Sequence, residues 1–347
     1  MSGSVTKRRT WKLVVFLSVT LIVMLVMLEY GLRAIKSVTL DGTLYLAAPT
    51  INNEPHPTYG WISPASRRYE KTDACYGDGV VSYNEAGFRA PPLAEATDAS
   101  PKVCILGDST MQGYQMPDGS YLPHLLAAEL AKHHDAPYVL PLAVLGYGSL
   151  QRWLLYQDFC RDIQPDVVVW SWDDNDPTND SYLADRNAGP NNVRPRPYLE
   201  DGEIVMRRSY PIHLTDQIDS LLTVKMLNGL IMLALKEDDE TIAAYREQGW
   251  AVADSLAERL AQEVEHPIAL VSRDATRAIE MFKRHGFELA IYDPFPDEER
   301  CLPRDLHPNT RGHQRMLNAL LPVVEEVLQP AESPLRVGAV PGGPEPE

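Results

Sequence analysis

Positive charge is in short supply in this chain of 347 residues. Only 32 lysines and arginines face 48 aspartates and glutamates, a formal net charge of −16. That balance offers no basic surface to a phosphate backbone or an anionic bilayer, so nucleic acid and anionic-lipid surfaces are excluded as main partners. Cysteine is equally sparse, with four residues. They form no CxxC pair and no Cys/His spacing of the zinc type, so the sequence implies no metal and no cofactor. No internal repeat stands out, which argues against a solenoid or a propeller. Long apolar runs are missing too, with one exception: residues 13–28, LVVFLSVTLIVMLVML, carry no charge.

That run is slightly short of the roughly 20 residues that span hydrocarbon. Trp11 and Tyr30 fit the two interfaces, and Lys12 can snorkel. Lys7, Arg8 and Arg9 lie upstream, which puts the N-terminus in the cytoplasm by the positive-inside rule. No small-x-small motif follows in EYGLRAIK, so the segment reads as an uncleaved single-pass anchor, a cleaved signal peptide being the rival. The remainder then lies in the periplasm or outside the cell, where thiols oxidise. Cys75 and Cys301 sit in polar, loop-like surroundings and are the disulfide candidates. Cys104 falls in an apolar run and reads as a small core residue.

The rest has ordinary globular composition, 44% hydrophobic and 23% charged. Residues 1–10 form a cytoplasmic tail, 11–30 the anchor and 31–100 an irregular lead-in. A main domain follows over 101–329, and a Pro/Gly-rich tail over 330–347 reads as disordered. Within the domain, strands are expected near 103, 139, 167, 267 and 288, alternating with helices over 120–132, 150–161, 215–236, 240–263, 275–285 and 312–328. Ser120 is the expected cap of the first of these helices. This rhythm implies a flavodoxin-like three-layer α/β/α fold with about five parallel strands. Residues 176–214 interrupt it as a polar insertion, in which Asp201-Gly202 reads as a hairpin turn.

Four segments at strand ends or before the last helix carry chemistry: Gly107-Asp108-Ser109, Gly146-Tyr147-Gly148, Asn175-Asp176 and Asp305-Leu306-His307. A serine hydroxyl needs a base, which a histidine supplies near neutral pH. A carboxylate can fix the histidine tautomer, and a glycine N–H with an asparagine amide can hold an oxyanion. Asp108 either caps the turn or joins the chemistry, and Gly148 rivals Gly146 as donor. Asn175, in DDND, also fits a solvated acidic loop or a cation site.

These blocks resemble the SGNH (GDSL-type) hydrolase family, as does Gly113 with Met116-Pro117-Asp118 and Tyr121-Leu122-Pro123. The stretch from Ser82 to Arg89 looks like the lead-in of membrane-anchored bacterial members. The resemblance implies Ser109 as nucleophile and His307 as base. It implies an oxyanion hole from the Ser109 N–H, Gly146 and Asn175. The family places its carboxylate three residues before the histidine; Arg304 stands there, and Asp305 is the substitute. The resemblance implies a membrane-anchored serine esterase cleaving acyl esters, acetyl esters above all, on envelope or exported glycans, without cofactor or metal. Its enzymatic alternative is an O-acetyltransferase, and its non-enzymatic one an inactive glycan-binding or assembly protein. A small-molecule or glycan ester is the expected partner. If that glycan is anionic, Arg194 and Arg196 of the insertion are the expected contacts.

Overall fold

A computed structural model describes residues 3–34, 53–73, 75–113, 116–181, 196–207, 221, 223–224, 238–302 and 305–329. The expected helix over 215–236, the disordered tail, Arg194 and Arg304 lie wholly or largely outside the described residues. Helix α1 (Gly3–Ala34) contains the apolar run, and Val14–Gly31 is long and apolar enough to cross a membrane. Its side chains there are mostly exposed. Near its end, Glu29 accepts hydrogen bonds from Thr223 N and Oγ1, at 3.0 and 3.1 Å.

The lead-in folds into two antiparallel pairs, β1 (Glu54–His56) with β2 (Gly60–Ile62) and β3 (Arg68–Lys71) with β4 (Gly79–Ser82). It is part of the core: Tyr59, Trp61 and Phe88 are buried against the main domain. Arg89 is buried as well. It donates to the carbonyls of Gln112 and Gly113 and pairs with Asp118 at 2.7 Å.

The main domain begins with β5 (Lys102–Gly107), α2 (Ser109–Gln112), α3 (Leu122–Leu130), β6 (Tyr138–Ala143), α4 (Ser149–Leu155) and β7 (Val167–Ser171). Helix α5 (Asp176–Asn179) opens the insertion, which continues as the hairpin β8 (Arg196–Glu200) and β9 (Glu203–Arg207). Asp201 and Gly202 both have positive φ, 50° and 85°, as a tight hairpin turn requires. Then come α6 (Asp239–Glu263), β10 (Pro267–Ser272), α7 (Thr276–Arg284), β11 (Glu288–Tyr292), the short pair β12 (Arg300–Cys301) and β13 (Asp305–Pro308), and α8 (Thr310–Leu328). The five expected strands form one parallel sheet in the order β11-β10-β7-β5-β6, the flavodoxin-like order.

Alternation along the strands builds two cores. Cys104, Leu106, Val168 and Trp170 face α4, α6 and α7 through Trp153, Leu256 and Phe282. Val103, Ile105, Val169 and Leu270 face α3 and α8 through Leu126 and Leu320. Two expectations change. Helix α3 starts after Tyr121 with no side-chain cap, because the Ser120 hydroxyl donates to the Pro117 carbonyl at 2.6 Å instead. Cys104 is buried as expected, yet it is bonded to Cys160, which the helical segment after α4 brings under β5. Cys75 and Cys301 form the other disulfide, as their polar surroundings suggested.

Candidate active site

Strand β5 ends at Gly107, where the chain turns into α2 with almost no room: a Cβ there would stand 2.4 Å from Met111. Glycine lets the turn close tightly enough to put Ser109 at the first helical position, off the carboxyl end of a central strand. Asp108 caps this turn, its Oδ1 accepting from Thr110 N at 2.9 Å. Ser109 is itself mostly buried, 5% exposed.

Some 200 residues later, β13 delivers the histidine. Side chains two apart on an extended strand share a face, so Asp305 and His307 lie side by side while Leu306 points to solvent. His307 Nδ1 is 2.5 Å from Asp305 Oδ1, and Asp305 Oδ1 also accepts the His307 backbone N–H at 3.1 Å. On the other side of the ring, His307 Nε2 is 2.7 Å from Ser109 Oγ. Burial alone would push the imidazole pKa down. The hydrogen bond and charge of Asp305, with Asp108 behind, outweigh it and hold the pKa above its usual value. Burial would raise Asp305, but the His307 bond and charge, helped by the Tyr76 hydroxyl, pull it down to about 2.

These groups open into a cavity of ≈ 380 Å³, with Asn175 on the same wall system. Asn175 stands at the start of α5, its Nδ2 donating to Asp108 Oδ2 at 3.5 Å. Gly146 lies in the turn after β6, with φ 77°. Ser109, His307 and Asn175 line the cavity, whereas Gly146 and Asp305 are not among the described residues that do; Asp305 is joined to the site through His307. Gly148 is sealed against Asp180, where a Cβ would lie 2.4 Å from Oδ1.

Arg196, expected as a substrate contact, is placed in the interior. It is 1% exposed, donates from Nη1 to the carbonyls of Gly146 and Asn179 and to Gln151 Oε1, and stacks over Trp61 at 4.8 Å. Its charge braces the Gly146 turn.

Beneath the serine lies a feature the motifs do not reveal. Arg152 on α4 is fully buried and grips Asp176 through two bonds of 2.6 and 2.7 Å, with a third to the Ser171 carbonyl at 2.7 Å. Its Nη2 is also 3.9 Å from Asp108. A cation amid Leu150, Trp153 and Leu155 was the available signal, since such a residue is buried only when paired. Asp173 completes the group and accepts from Thr110 Oγ1 at 3.3 Å. Burial, then Asp108 and Asp176, push its carboxyl well up against the pull of Arg152.

Because that folded-state pKa lies above the unfolded value near 4, the proton on Asp173 contributes stability that is complete below about pH 4 and drains away as pH rises through the folded-state value. Asp173→Asn removes the drain. Its unfolding free energy is expected to fall less steeply than wild type as pH rises above about 4, by up to roughly 1.4 kcal/mol per pH unit. Denaturant titrations across that range check this, and parallel slopes would mean an ionised Asp173.

No family model matches the chain, and no curated protein matches it. Solved structures do. A catalytic mutant of Axe2, an acetylxylan esterase from Geobacillus stearothermophilus, is 11% identical over 65% of this chain and 94% of its own, with a TM-score of 0.37. The lipase/acylhydrolase from Enterococcus faecalis is 14% identical over 67% and 99%, also at 0.37. The psychrotrophic esterase EstA from Pseudoalteromonas sp. is 12% identical over 66% and 99%, at 0.34. Likeness at this level carries no argument about activity; the fold rests on the strand order of this chain itself.

Proposed function

We propose that this protein is an SGNH-type serine hydrolase that cleaves acyl esters, acetyl esters of glycans foremost, held at a membrane by α1. The observation that carries the reading is the relay from Asp305 through His307 to Ser109 Oγ, at 2.5 and 2.7 Å, opening into a cavity. Ser109 Oγ attacks the ester carbonyl while His307 Nε2 takes its proton. Asp305 fixes the tautomer with Nδ1–H and stabilises the imidazolium. The Ser109 and Gly146 N–H groups and the Asn175 amide hold the oxyanion. The tetrahedral intermediate collapses, His307 passes its proton to the departing alcohol, and the acyl group stays on Ser109. Water, deprotonated by His307, then releases the acid.

The anchor reading adds orientation. Lys7, Arg8 and Arg9 stay in the cytoplasm, and the catalytic domain lies on the far side. Two disulfides among the four cysteines suit such an oxidising compartment.

The test is whether the full-length protein, in detergent, hydrolyses acetylated xylo-oligosaccharides and takes up one fluorophosphonate, located on Ser109 by peptide mass mapping. A folded protein that neither hydrolyses these esters nor labels would refute the hydrolase reading. Labelling without hydrolysis would instead favour transfer of the acyl group to an acceptor.

A further inference from the structure

Charge is unevenly spread around the cavity. Asp108, Asp174 and Asp274 contribute carboxylates to its lining, beside Asp173 whose buried carboxyl holds its proton, against Arg300 and His307 as the cationic or titrating side chains among the described residues. Arg300 is engaged on its own wall, its Nε donating to the Phe295 carbonyl at 3.2 Å and its guanidinium over the Phe295 ring at 5.8 Å. Nearby Arg273 is paired with Asp293 at 2.5 Å.

Two of the acids stand at the rim. Asp174 follows β7 and Asp274 follows β10, neighbouring strands of the sheet, and both are exposed. Neither has an ion pair among the described residues; Asp274 Oδ1 accepts only the Ser272 hydroxyl. They feel each other: burial and then the charge of Asp274 raise the Asp174 carboxyl. Deeper in, Asp173 Oδ2 is sealed from solvent and finds no hydrogen-bond partner among the described residues. Tyr292 marks where these charges converge, since burial and then Asp173, Asp174, Asp274 and Asp108 raise its hydroxyl far above the usual range. Trp172, Tyr292 and Phe295 give the same cavity aromatic surface. Carboxylates beside aromatic surface stabilise an organic cation and repel an anion.

The reaction says which half of the ester meets this wall. His307 Nε2 hands its proton to the leaving oxygen, so the alcohol must lie on the His307 side. His307 and Phe295 line the same cavity; Phe295 stacks on Tyr292 at 5.1 Å between ring centres, and Tyr292 lies within reach of the Asp174 and Asp274 charges. We propose that the alcohol half of the substrate carries a positive charge, as in an ester of an amino alcohol or an amino sugar, seated between Asp174 and Asp274. This rests on the serine-hydrolase reading and narrows it. It also replaces the anionic glycan expected from the insertion arginines, of which Arg196 is turned inward and Arg194 lies outside the described residues.

Two matched methylphosphonates test it on the full-length protein. One has 2-(trimethylammonio)ethanethiolate as leaving group, the other its uncharged isostere 3,3-dimethylbutanethiolate. In each, Ser109 Oγ forms the bond to phosphorus as the phosphorus–sulfur bond breaks and the thiolate departs. The cationic probe is expected to label Ser109 about fivefold to tenfold faster at low salt. That advantage should shrink toward parity in the double variant Asp174→Asn/Asp274→Asn. Equal rates on wild type, or an advantage that survives the double substitution, would overturn the proposal and leave the hydrolase intact. If neither probe labels Ser109 in folded protein, the hydrolase reading fails and this proposal with it.

Discussion

His307→Ala is expected to lower kcat for acetyl-ester hydrolysis roughly 1,000- to 10,000-fold, Ser109→Ala to do no less, and the two together to be little worse than either. The non-additivity is the informative part. Nε2 and Oγ share one proton path at 2.7 Å, so removing either end removes the whole path. Asp305→Asn probes the same relay differently. His307 must be neutral to accept the serine proton, so activity rises as pH climbs through its folded-state pKa. Asp305 holds that value above the usual one of about 6.5. The wild-type acid limb should therefore centre above about pH 6.5, and Asp305→Asn should move it to lower pH while the plateau falls. Rate profiles of kcat/KM on an uncharged ester measure both. A limb that stays in place, or a His307→Ala enzyme keeping more than about a tenth of the rate, would remove His307 from the base role.

Arg152→Ala is expected to cost about 3–5 kcal/mol of unfolding free energy, a large share of a typical domain's total. The reason is what stays behind. Asp176 would remain fully buried with its two guanidinium bonds gone, facing Asp108 and Asp173 without a counter-charge. Burial and the neighbouring Asp108 and Asp180 charges already raise Asp176 to about 8 against the pull of Arg152. The Ser171 carbonyl would lose its donor too. Neutralising both ends should hurt less than removing one: Arg152→Met/Asp176→Leu is expected to recover most of the loss seen in Arg152→Met. Urea titrations of the three variants decide it. A loss below about 1 kcal/mol for Arg152→Ala would mean that water or a shifted proton already compensates the carboxylates.

The sheet was readable because its strands are short, almost wholly apolar and separated by helices of clear period. Residues 103–107 and 167–171 could be little else, and the parallel order followed from the alternation. Ser109 stood out for a related reason, since it closes such a run, whereas His307 stood out only through its block and the resemblance; that the two side chains meet is what the fold adds. The burial of Arg196 was not readable because sequence records a charge and not where it points; the approach of Trp61, Gln151 and the Gly146 carbonyl shows that it faces inward. The pairing of Cys104 with Cys160 was hidden for the same kind of reason, as Cys104 lies in an apolar run and Cys160 in a polar helical stretch, and only the packing of the segment after α4 under β5 brings them together. The acidic rim escaped notice because Asp174 and Asp274 are 100 positions apart and become neighbours through strand order alone.

The bond between Cys75 and Cys301 spans 226 positions and encloses the whole parallel sheet. Topologically the domain is a closed loop hung from α1, with His307 just beyond the clasp. A protease that cuts once anywhere between residues 76 and 300 leaves two fragments that remain one covalent molecule. The fragment bearing the histidine stays tethered to the helix end of the chain until a reductant opens the clasp. Nicking inside that loop would thus appear as two bands only on a reducing gel, and the histidine-bearing fragment would part from α1 only after both the cut and the reductant.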